Sequence, residues 1–262
     1  MPELPEVEVL RRSLEPHLVG DRIRRVEVRA RALREPLRAG ELRRRGKYLL
    51  VDLEGGTTLL LHLGMSGRLT LVPAGTPREP HEHLAFHLDS RRRLRFRDPR
   101  RFGLVLALPT ADLERDRHLV HLGLEPLAGT FSGGALRRLA AGRRAPVKAF
   151  LMDARRIVGV GNIYATEALH RAGIHPARSV GRISVERWRR LAVAVRRVLR
   201  HAILQGGTTL NDFADGEGRS GEFQVDLRVY GREGEPCPRC GARVRRLVQS
   251  GRSTFYCPRC QR

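Results

Sequence analysis

The arrangement of the cysteines restricts the possible folds of this chain more than any other feature of its sequence. Two CxxC motifs, at 237–240 and 257–260, are separated by sixteen residues and contain all four cysteines of the chain. A matched pair of such motifs is typical of a tetrahedral zinc site, whereas a redox CxxC motif does not normally occur twice. We therefore expect one structural zinc ion, bound by the thiolates of Cys237, Cys240, Cys257 and Cys260. Disulfides are not expected in the reducing cytoplasm.

The segment between the two CxxC motifs predicts a basic β-hairpin. It contains Arg243, Arg245, Arg246 and Arg252, and no acidic residue follows position 237. The whole chain has 50 Lys and Arg against 28 Asp and Glu, which gives a formal charge of +22. A charge of this size indicates a polyanionic partner, and nucleic acid is the natural one. An Arg-rich proteome would explain Arg in place of Lys, but not the excess of bases over acids.

The start of the chain carries residues suited to covalent chemistry. Removal of Met1 would leave Pro2 with a free secondary amine, and an α-amine has a pKa of about 7.7–8.0. Such an amine is partly unprotonated near neutral pH, so it can attack a carbon that bears an aldehyde or its equivalent and form a Schiff base. Glu3 lies beside it in the sequence and can move protons as a general acid or base.

An ordinary amphipathic helix explains the same stretch without any chemistry. Pro5 and the acidic Glu6 and Glu8 suit the first turn of a helix. Apolar residues then follow at helical spacing, at Val7, Leu10, Leu14 and Leu18. The start of this stretch also lacks the apolar segment of a signal peptide. No run of about 18 apolar residues exists that would span a membrane, so we expect a cytoplasmic protein without membrane association.

The periodicity of the apolar residues changes along the chain, which is long enough for two domains. Short alternating runs at 22–28, 47–53, 57–63, 68–72, 83–88, 92–97 and 104–108 predict an antiparallel β-sandwich or barrel. From a boundary near residue 126 the period is helical, with candidate helices at 134–141, 146–154, 162–172 and 184–204. In the last helix Trp188, Leu191, Val195 and Leu199 share one face.

Four loops could be plain connections or could contact DNA. Residues 62–67 and 98–103 suit hairpin turns, but Met65 and Phe102 could also enter a base stack beside Arg100. The seven Arg of residues 91–101 fit either solvated surface or a phosphate-facing patch. The Gly-rich turn at 159–161 fits a tight helix–helix turn or a phosphate site. Residues 212–222 are rich in Gly and acids, and we interpret them as a mobile surface loop, either a linker or a lid.

Taken together, these motifs resemble the formamidopyrimidine-DNA glycosylases of the Fpg/Nei family, in order and in spacing. The resemblance rests on residues 2–8, 45–50, 62–67, 98–103, 159–164, 206–210 and 229–232 and on the CxxC pair. It implies an α+β fold with three parts. These are an N-terminal antiparallel β-sandwich with a flanking helix (1–125), a helix-two-turns-helix domain with a lesion-capping loop (126–225) and a zinc finger (226–262).

The resemblance also implies a bacterial base-excision repair enzyme that acts as a monomer on double-stranded DNA in the nucleoid. Such an enzyme excises oxidised purines, such as 8-oxoguanine and formamidopyrimidines, and then cleaves the abasic strand by β,δ-elimination. It needs no organic cofactor. Two alternatives remain open. One is a Nei-type glycosylase for oxidised pyrimidines, and the other is a non-catalytic zinc-ribbon module that binds DNA.

Residue roles follow from the resemblance position by position. Pro2 is the implied nucleophile at the sugar C1′, Glu3 the group that protonates the opening sugar, and Lys47 a contact to the phosphate beside the lesion. The implied DNA-binding residues are the phosphate contacts Asn162 and Arg252, the residues Met65, Arg100 and Phe102 that fill the space of the flipped nucleotide, and His62 and Arg155. Glu6 and Glu167 are implied to support the active site. In this chain Arg155 and Arg156 stand where relatives can have a single Lys.

Overall fold

The computed structural model describes residues 2–28, 31–33, 37–208, 215–219 and 221–262. The chain forms two compact units. The first unit comprises Met1–Val120 and Ile203–Gln224, and the second comprises His121–Ala202 and Val225–Arg262. In the described part of the chain, none of the helices combines the length and the apolar character needed to cross a bilayer.

The first unit begins with helix α1, Leu4–Leu18. Pro5 lies in its first turn, where a missing N–H costs no helical hydrogen bond. All members of the predicted apolar stripe are buried: Val7, Leu10, Leu14 and Leu18. Leu4, which precedes the stripe, is buried as well. From Val7 onward, these side chains belong to the same core cluster as apolar residues of the strands. The N-terminus is therefore held against the sheet by the hydrophobic face of α1.

The strands of the first unit form one antiparallel arrangement. They are β1 Arg22–Val28, β2 Arg31–Leu33, β3 Leu37–Arg45, β4 Tyr48–Leu53, β5 Thr57–His62, β6 Arg68–Pro73, β7 Glu82–Leu88, β8 Arg92–Arg97 and β9 Leu104–Pro109. The order is β6-β8-β7-β1-β3-β4-β5-β9, with β2 paired to β1. One half of this order ends at β1 and the other begins at β3, and two residue pairs between these strands join the halves. Apolar residues of both halves belong to one core cluster. The predicted α+β fold with antiparallel β-structure is confirmed.

Strand β3 was not predicted from the sequence. Its pairing with β4 shifts register between Ala39 and Leu42, so a bulge interrupts the alternation of apolar and polar residues. Among the side chains that the structure describes in this strand, these two alone are buried. A strand with two such core residues among many arginines lacks the period-two signal on which the prediction depends.

Part of the Arg-rich stretch at 91–101 is used in ion pairs within the first unit. Arg95 lies 2.7 Å from Glu79, Arg97 lies 3.6 Å from Glu79, and the buried Arg93 lies 3.5 Å from Glu82. Glu79 precedes β7 and Glu82 begins it. Both acids are more than ten positions from their arginine partners, so the charge pattern along the sequence does not reveal these ion pairs. For these three arginines, the ion pairs favour a structural role over the phosphate-facing patch that we considered.

The second unit contains the remaining helices and a two-stranded hairpin. The helices are α2 Gly133–Ala140, α3 Val147–Met152, α4 Asn162–Ala172 and α5 Val185–Leu204, and the end of α5 from Ile203 onward belongs to the first unit. The hairpin is β10 Arg245–Gln249 and β11 Arg252–Tyr256. The predicted apolar face of α5 is confirmed, since Trp188, Leu191, Val195 and Leu199 are all buried.

The predicted loop at 212–222 lies partly outside the described residues, at 212–214 and 220. Its described part is anchored to the first unit. Gly216 donates its N–H to Ser13 Oγ at 2.8 Å, and its carbonyl accepts from the Leu71 N–H at 2.7 Å. Asp215 is buried and accepts from the Arg219 guanidinium at 2.9 Å. One turn of the segment is thus fixed against α1 and β6.

Candidate functional site

The predicted catalytic pair lies at the start of α1. Pro2 is half-buried and directly precedes Glu3, which occupies the N-cap position and is only 3% exposed. The expected removal of Met1 concerns a residue outside the described part of the chain. The Glu3 side chain accepts the backbone N–H of Glu6 in a capping box at the start of α1. A buried carboxylate thus adjoins Pro2, which is compatible with the predicted roles of nucleophile and proton-transfer group.

Glu6 connects the start of α1 to a distant loop. One carboxylate oxygen accepts the backbone N–H of Glu3 at 2.8 Å, and the other accepts the backbone N–H of Thr208 at 2.8 Å. The side chain is only 2% exposed. Charge-assisted hydrogen bonds of this kind are strong, so Glu6 fixes the backbone of Glu3 relative to Thr208. These partners indicate a positioning task.

Glu8 forms a second buried carboxylate centre that the sequence analysis missed. It lies within 3.2 Å of Arg11, Arg12 and Arg44. Burial alone would raise the pKa of Glu8, but hydrogen bonds from Arg11 and Arg12 and the charge of Arg44 outweigh it and hold the pKa low. The i,i+3 and i,i+4 spacing to Arg11 and Arg12 was a readable signal. This cluster ties α1 to β3.

Lys47 lies in the turn between β3 and β4, after Gly46 at φ +58°. Its charge acts on His62, at the end of β5. Burial, with the charges of Lys47 and His118, lowers the pKa of His62 to about 4. The imidazole is thus neutral at pH 7. Its Nδ1 lies 3.1 Å from the backbone N of Gly64 and accepts that N–H, which leaves the ring proton on Nε2.

Asp98 joins the two loops that carry the wedge residues, which is our name for Met65, Arg100 and Phe102, the residues predicted to fill the space of the flipped nucleotide. It is only 1% exposed, and its carboxylate accepts from Ser66 Oγ at 2.7 Å and from the Gly103 N–H at 2.7 Å. The loops also touch at Gly64, where a Cβ would lie 2.4 Å from the Phe102 carbonyl carbon. Loops 62–67 and 98–103 are therefore one connected structure. The sequence motifs contained Asp98, but its bridging role was not predicted.

The wedge residues themselves are exposed. Met65 is 40% exposed and Phe102 is 56% exposed, although both are large apolar side chains. The Arg100 guanidinium carbon lies 5.1 Å from the centre of the Phe102 ring, in cation–π geometry. Exposed apolar side chains on two linked loops are of the kind that can insert between bases. The structure brings these three predicted residues onto the same pair of linked loops.

Asn162 is held in the second unit by a buried lysine that the sequence analysis did not identify. Lys148 Nζ donates to Asn162 Oδ1 at 2.5 Å and to Thr254 Oγ1 at 2.6 Å. Asn162 Nδ2 in turn donates to the Ser253 carbonyl at 3.1 Å. The start of α4 is thereby joined to β11. Arg252 begins that strand and is exposed, so the two predicted phosphate contacts lie on connected elements.

The two arginines that depart from the family pattern have different surroundings. Arg156 pairs with Asp153 at 2.8 Å and lies over the Phe150 ring. Arg155 has an exposed side chain, and its backbone N–H donates to Asp153 Oδ1 at 3.0 Å. Of the two guanidinium groups, that of Arg155 is the more accessible to a phosphate.

Glu167 is fully buried on α4. Its carboxylate accepts the backbone N–H groups of Arg228, Val229 and Tyr230 at 2.9–3.1 Å. Burial raises the pKa of Glu167 in spite of these bonds. The observed partners are all backbone groups, so this carboxylate fixes the segment that precedes the first CxxC motif.

The four cysteines converge as predicted. Their Sγ atoms all lie within 4.8 Å of one another, with 3.4 Å between Cys240 and Cys257. A tetrahedral zinc ion with Zn–S bonds of about 2.3 Å needs sulfurs about 3.8 Å apart, so the cluster fits the ion. His170 Nε2 lies 3.4 Å from Cys237 Sγ, where it can donate to the thiolate.

Three family models match the chain in sequence order. Residues 1–105 match the formamidopyrimidine-DNA glycosylase N-terminal domain, and residues 122–214 match the H2TH domain of the same enzymes. Residues 234–262 match the zinc finger found in FPG and IleRS. The cysteine cluster is therefore the structural zinc site of that finger.

Full-length relatives agree with the family models. The chain is 53% identical to formamidopyrimidine-DNA glycosylase of Halorhodospira halophila and 50% identical to that of Xanthomonas campestris, with 100% of both chains covered in each case. The crystal structure of MutM (Fpg) from Thermus thermophilus matches with a TM-score of 0.89 and 43% identity, covering 99% of this chain and 98% of that one. Lactococcus lactis Fpg in complex with abasic-site DNA matches with a TM-score of 0.92 and 31% identity over 99% of each chain. The chain belongs to the formamidopyrimidine-DNA glycosylase family of DNA repair enzymes.

Proposed function

We propose that this protein is a bifunctional glycosylase and abasic-site lyase that removes oxidised purines from double-stranded DNA. Formamidopyrimidines and 8-oxoguanine are the proposed substrates, and β,δ-elimination then cleaves the strand. A mutant of the Lactococcus lactis relative has been solved in complex with DNA that contains Fapy-dG, and Lactococcus lactis Fpg has been solved with DNA that contains an abasic site. We propose further that the protein acts as a monomer in the bacterial nucleoid.

The observation that carries the proposal is the pair formed by Pro2 and the buried Glu3. Once Met1 is removed, the Pro2 amine attacks C1′, the bond from C1′ to the base breaks, and the base leaves with a proton. Glu3 protonates the ring oxygen as the sugar opens, which gives an iminium ion. The positive charge of that ion makes the C2′ proton acidic. Its removal breaks the 3′ C–O bond, and a second elimination breaks the 5′ C–O bond.

The remaining predicted residues hold DNA in this scheme. Pro2 cannot reach C1′ inside a stacked duplex, so the damaged nucleotide must flip out, at a cost of a few kcal/mol. Met65, Arg100 and Phe102 offset part of that cost by filling the vacated space. The phosphate contacts are Lys47, Asn162, Arg155 and Arg252, and the neutral His62 supports the wedge loop through Gly64.

Glu6 and Glu167 act as positioning residues in this proposal. Glu6 sets the backbone of Glu3, because its carboxylate accepts the Glu3 N–H. Glu167 sets residues 228–230 through three backbone N–H groups. Neither carboxylate needs to touch the substrate to affect the rate.

Borohydride trapping on a duplex with 8-oxoguanine opposite cytosine tests the chemistry. The wild-type protein should give a covalent protein–DNA adduct, and mass analysis of the mature protein should show Pro2 as the first residue. Pro2→Gly should weaken the adduct and Glu3→Gln should stop base excision. The matched control is Glu15→Gln on the same helix, which should behave as wild type. Wild-type excision by Glu3→Gln, or activity with Met1 retained, would refute the mechanism.

A preference for oxidised pyrimidines is the second candidate. One observation favours it, since the Lactococcus lactis relative has also been solved with DNA that contains an oxidised pyrimidine. Excision rates of 8-oxoguanine opposite cytosine and of thymine glycol, measured side by side, decide between the two. Affinity for damaged DNA without any trapped adduct would instead indicate a non-catalytic zinc-ribbon protein.

A further inference from the structure

A basic cavity of about 520 Å³ lies in the second unit, away from the residues assigned to DNA contact. It is bounded by the C-terminal end of α4, the first half of α5, and the segment around the first CxxC motif. Six of its lining residues are arginines: Arg171, Arg189, Arg190, Arg197, Arg228 and Arg239. The only acidic lining residue among those described is Glu186. Its volume falls in the range of small-ligand sites.

The positive charge of this cavity is poorly neutralised by the protein. Among the described residues, only one of these six arginines forms an ion pair. Arg189 lies 3.9 Å from Glu186, and both side chains are exposed. Nearby acids are occupied, since Asp226 pairs with His201 at 2.6 Å and Glu167 accepts backbone N–H groups. Burial and the charges of Arg228 and Arg197 lower the pKa of Arg171 and outweigh the opposing effect of the Glu167 and Asp226 carboxylates. Like charges are thus held close together, which favours an anion between them.

One arginine of the lining also has a buried donor without an acceptor among the described residues. Arg171 Nε is shielded from solvent, and within the described structure it has no hydrogen-bond partner. A buried donor that is left unsatisfied destabilises the protein, because it has lost its hydrogen bond to water. The guanidinium group binds phosphate oxygens in bidentate geometry, so a phosphate group in the cavity can pair with the exposed guanidinium groups of the lining, such as those of Arg228 and Arg239, and neutralise their charge.

We propose that this cavity binds a compact polyphosphate, such as the phosphate tail of a nucleotide or a short inorganic polyphosphate. A concave site lined by six arginines suits a small anion better than the wide backbone of a duplex. The cavity is also separate from the DNA-contacting end of α4. Asn162 begins that helix and Arg171 lies nine residues later, which corresponds to about 13 Å along the axis.

Calorimetric titration of the full-length zinc-loaded protein with inorganic tripolyphosphate tests the site. The variant Arg228→Ala/Arg239→Ala removes two exposed guanidinium groups and keeps the backbone N–H that Glu167 binds. Arg137→Ala/Arg138→Ala on α2 makes the same change in charge outside the cavity. The cavity variant should bind at least tenfold more weakly than the wild type, and the control should bind as the wild type does. Zinc content and melting temperature verify that both variants are folded.

Parallel titrations with ATP and with an undamaged 12-base-pair duplex separate the sources of phosphate. If the cavity variant loses affinity for ATP by the same factor as for tripolyphosphate, the result supports recognition of the phosphate tail. This holds whether the wild type binds ATP as tightly as tripolyphosphate or more tightly. The proposal is overturned if the wild type binds no polyphosphate at millimolar concentration, or if both variants lose affinity equally. It is also overturned if the substitutions in the cavity weaken binding of the duplex as much as binding of tripolyphosphate, because the site would then be a DNA-backbone contact.

Discussion

Lys148 Nζ lies 2.5 Å from Asn162 Oδ1, and the lysine side chain is only 1% exposed. An ammonium group can only donate hydrogen bonds, so this contact turns the oxygen of the amide toward Lys148. Asn162 Nδ2 then points away, and one of its two N–H groups is used by the Ser253 carbonyl. The buried lysine therefore fixes the orientation of the amide that we predict to contact a DNA phosphate.

Replacing Lys148 by Met should weaken DNA binding about 10- to 100-fold. The substitution keeps the apolar stem and removes the donor, and hydrogen bonds to charged groups contribute about 1.5–3 kcal/mol. The dissociation constant for a duplex with an abasic-site analogue, measured by fluorescence anisotropy, gives the effect.

The effect of Lys148→Met should depend on Asn162. In an Asn162→Ala background, Lys148→Met should cost much less, because residues in one hydrogen-bond network are not additive. Full additivity in this double-mutant cycle would show that Lys148 acts on DNA binding by another route.

His62 should make the stability of the protein fall as the pH is lowered from 7.5 to 5. Its pKa is about 4 when folded and about 6.5 when unfolded, so the unfolded state binds the proton more readily. The contribution is fully present above pH 6.5 and is lost as the pH falls toward 4. The expected change is about 2 kcal/mol between pH 7.5 and 5.

Urea unfolding of wild type and His62→Gln across this pH range measures that contribution. The difference between the two proteins isolates His62 from other titrating groups. His81→Gln is the control, since that side chain is exposed. A His62→Gln protein with the same pH dependence as wild type would show that the burial of His62 does not depress its pKa.

Local patterns in the sequence predicted much of this structure. Residue spacing within one stretch of sequence was enough to predict three features. These are the apolar stripe of α1, the apolar face of α5 and the cysteine cluster. The strand β3 did not follow, because its bulge places Ala39 and Leu42 out of alternation. Periodicity detects elements that repeat regularly, and it fails where the register shifts.

Pairings between distant segments could not be predicted. The contacts of Lys148 with Thr254 and of Glu6 with Thr208 join residues more than one hundred positions apart. Asp98 was visible within a motif, but its bond to Ser66 depends on how two loops fold together. The sequence thus suggested candidate DNA-contacting residues, and it did not indicate which buried groups hold them in place.

Removal of zinc should unfold the C-terminal hairpin and leave the sheet of the first unit intact. The hairpin has a small apolar cluster around Val229, Val244 and Phe255, and structural zinc contributes about 10–16 kcal/mol in small zinc-finger peptides. Hydrogen exchange before and after chelation should show loss of protection in β10 and β11. The amides of β4 and β5 are the internal control. Unchanged protection of the hairpin without zinc would contradict a structural role for the metal.

Gly64→Ala should destabilise the protein more than Gly55→Ala, and the difference measures how tightly the two wedge loops pack. Both glycines have positive φ, +62° and +84°, so each alanine costs about 1 kcal/mol of backbone strain. At Gly55 the new methyl group meets nothing within 4 Å, whereas at Gly64 it lies 2.4 Å from the Phe102 backbone. Overpacking adds about 1–3 kcal/mol there. Urea unfolding gives both values, and anisotropy should show weaker binding to abasic-analogue DNA for Gly64→Ala alone, because Phe102 is displaced. Equal losses of stability would show that the loops separate easily and that the wedge is not rigid.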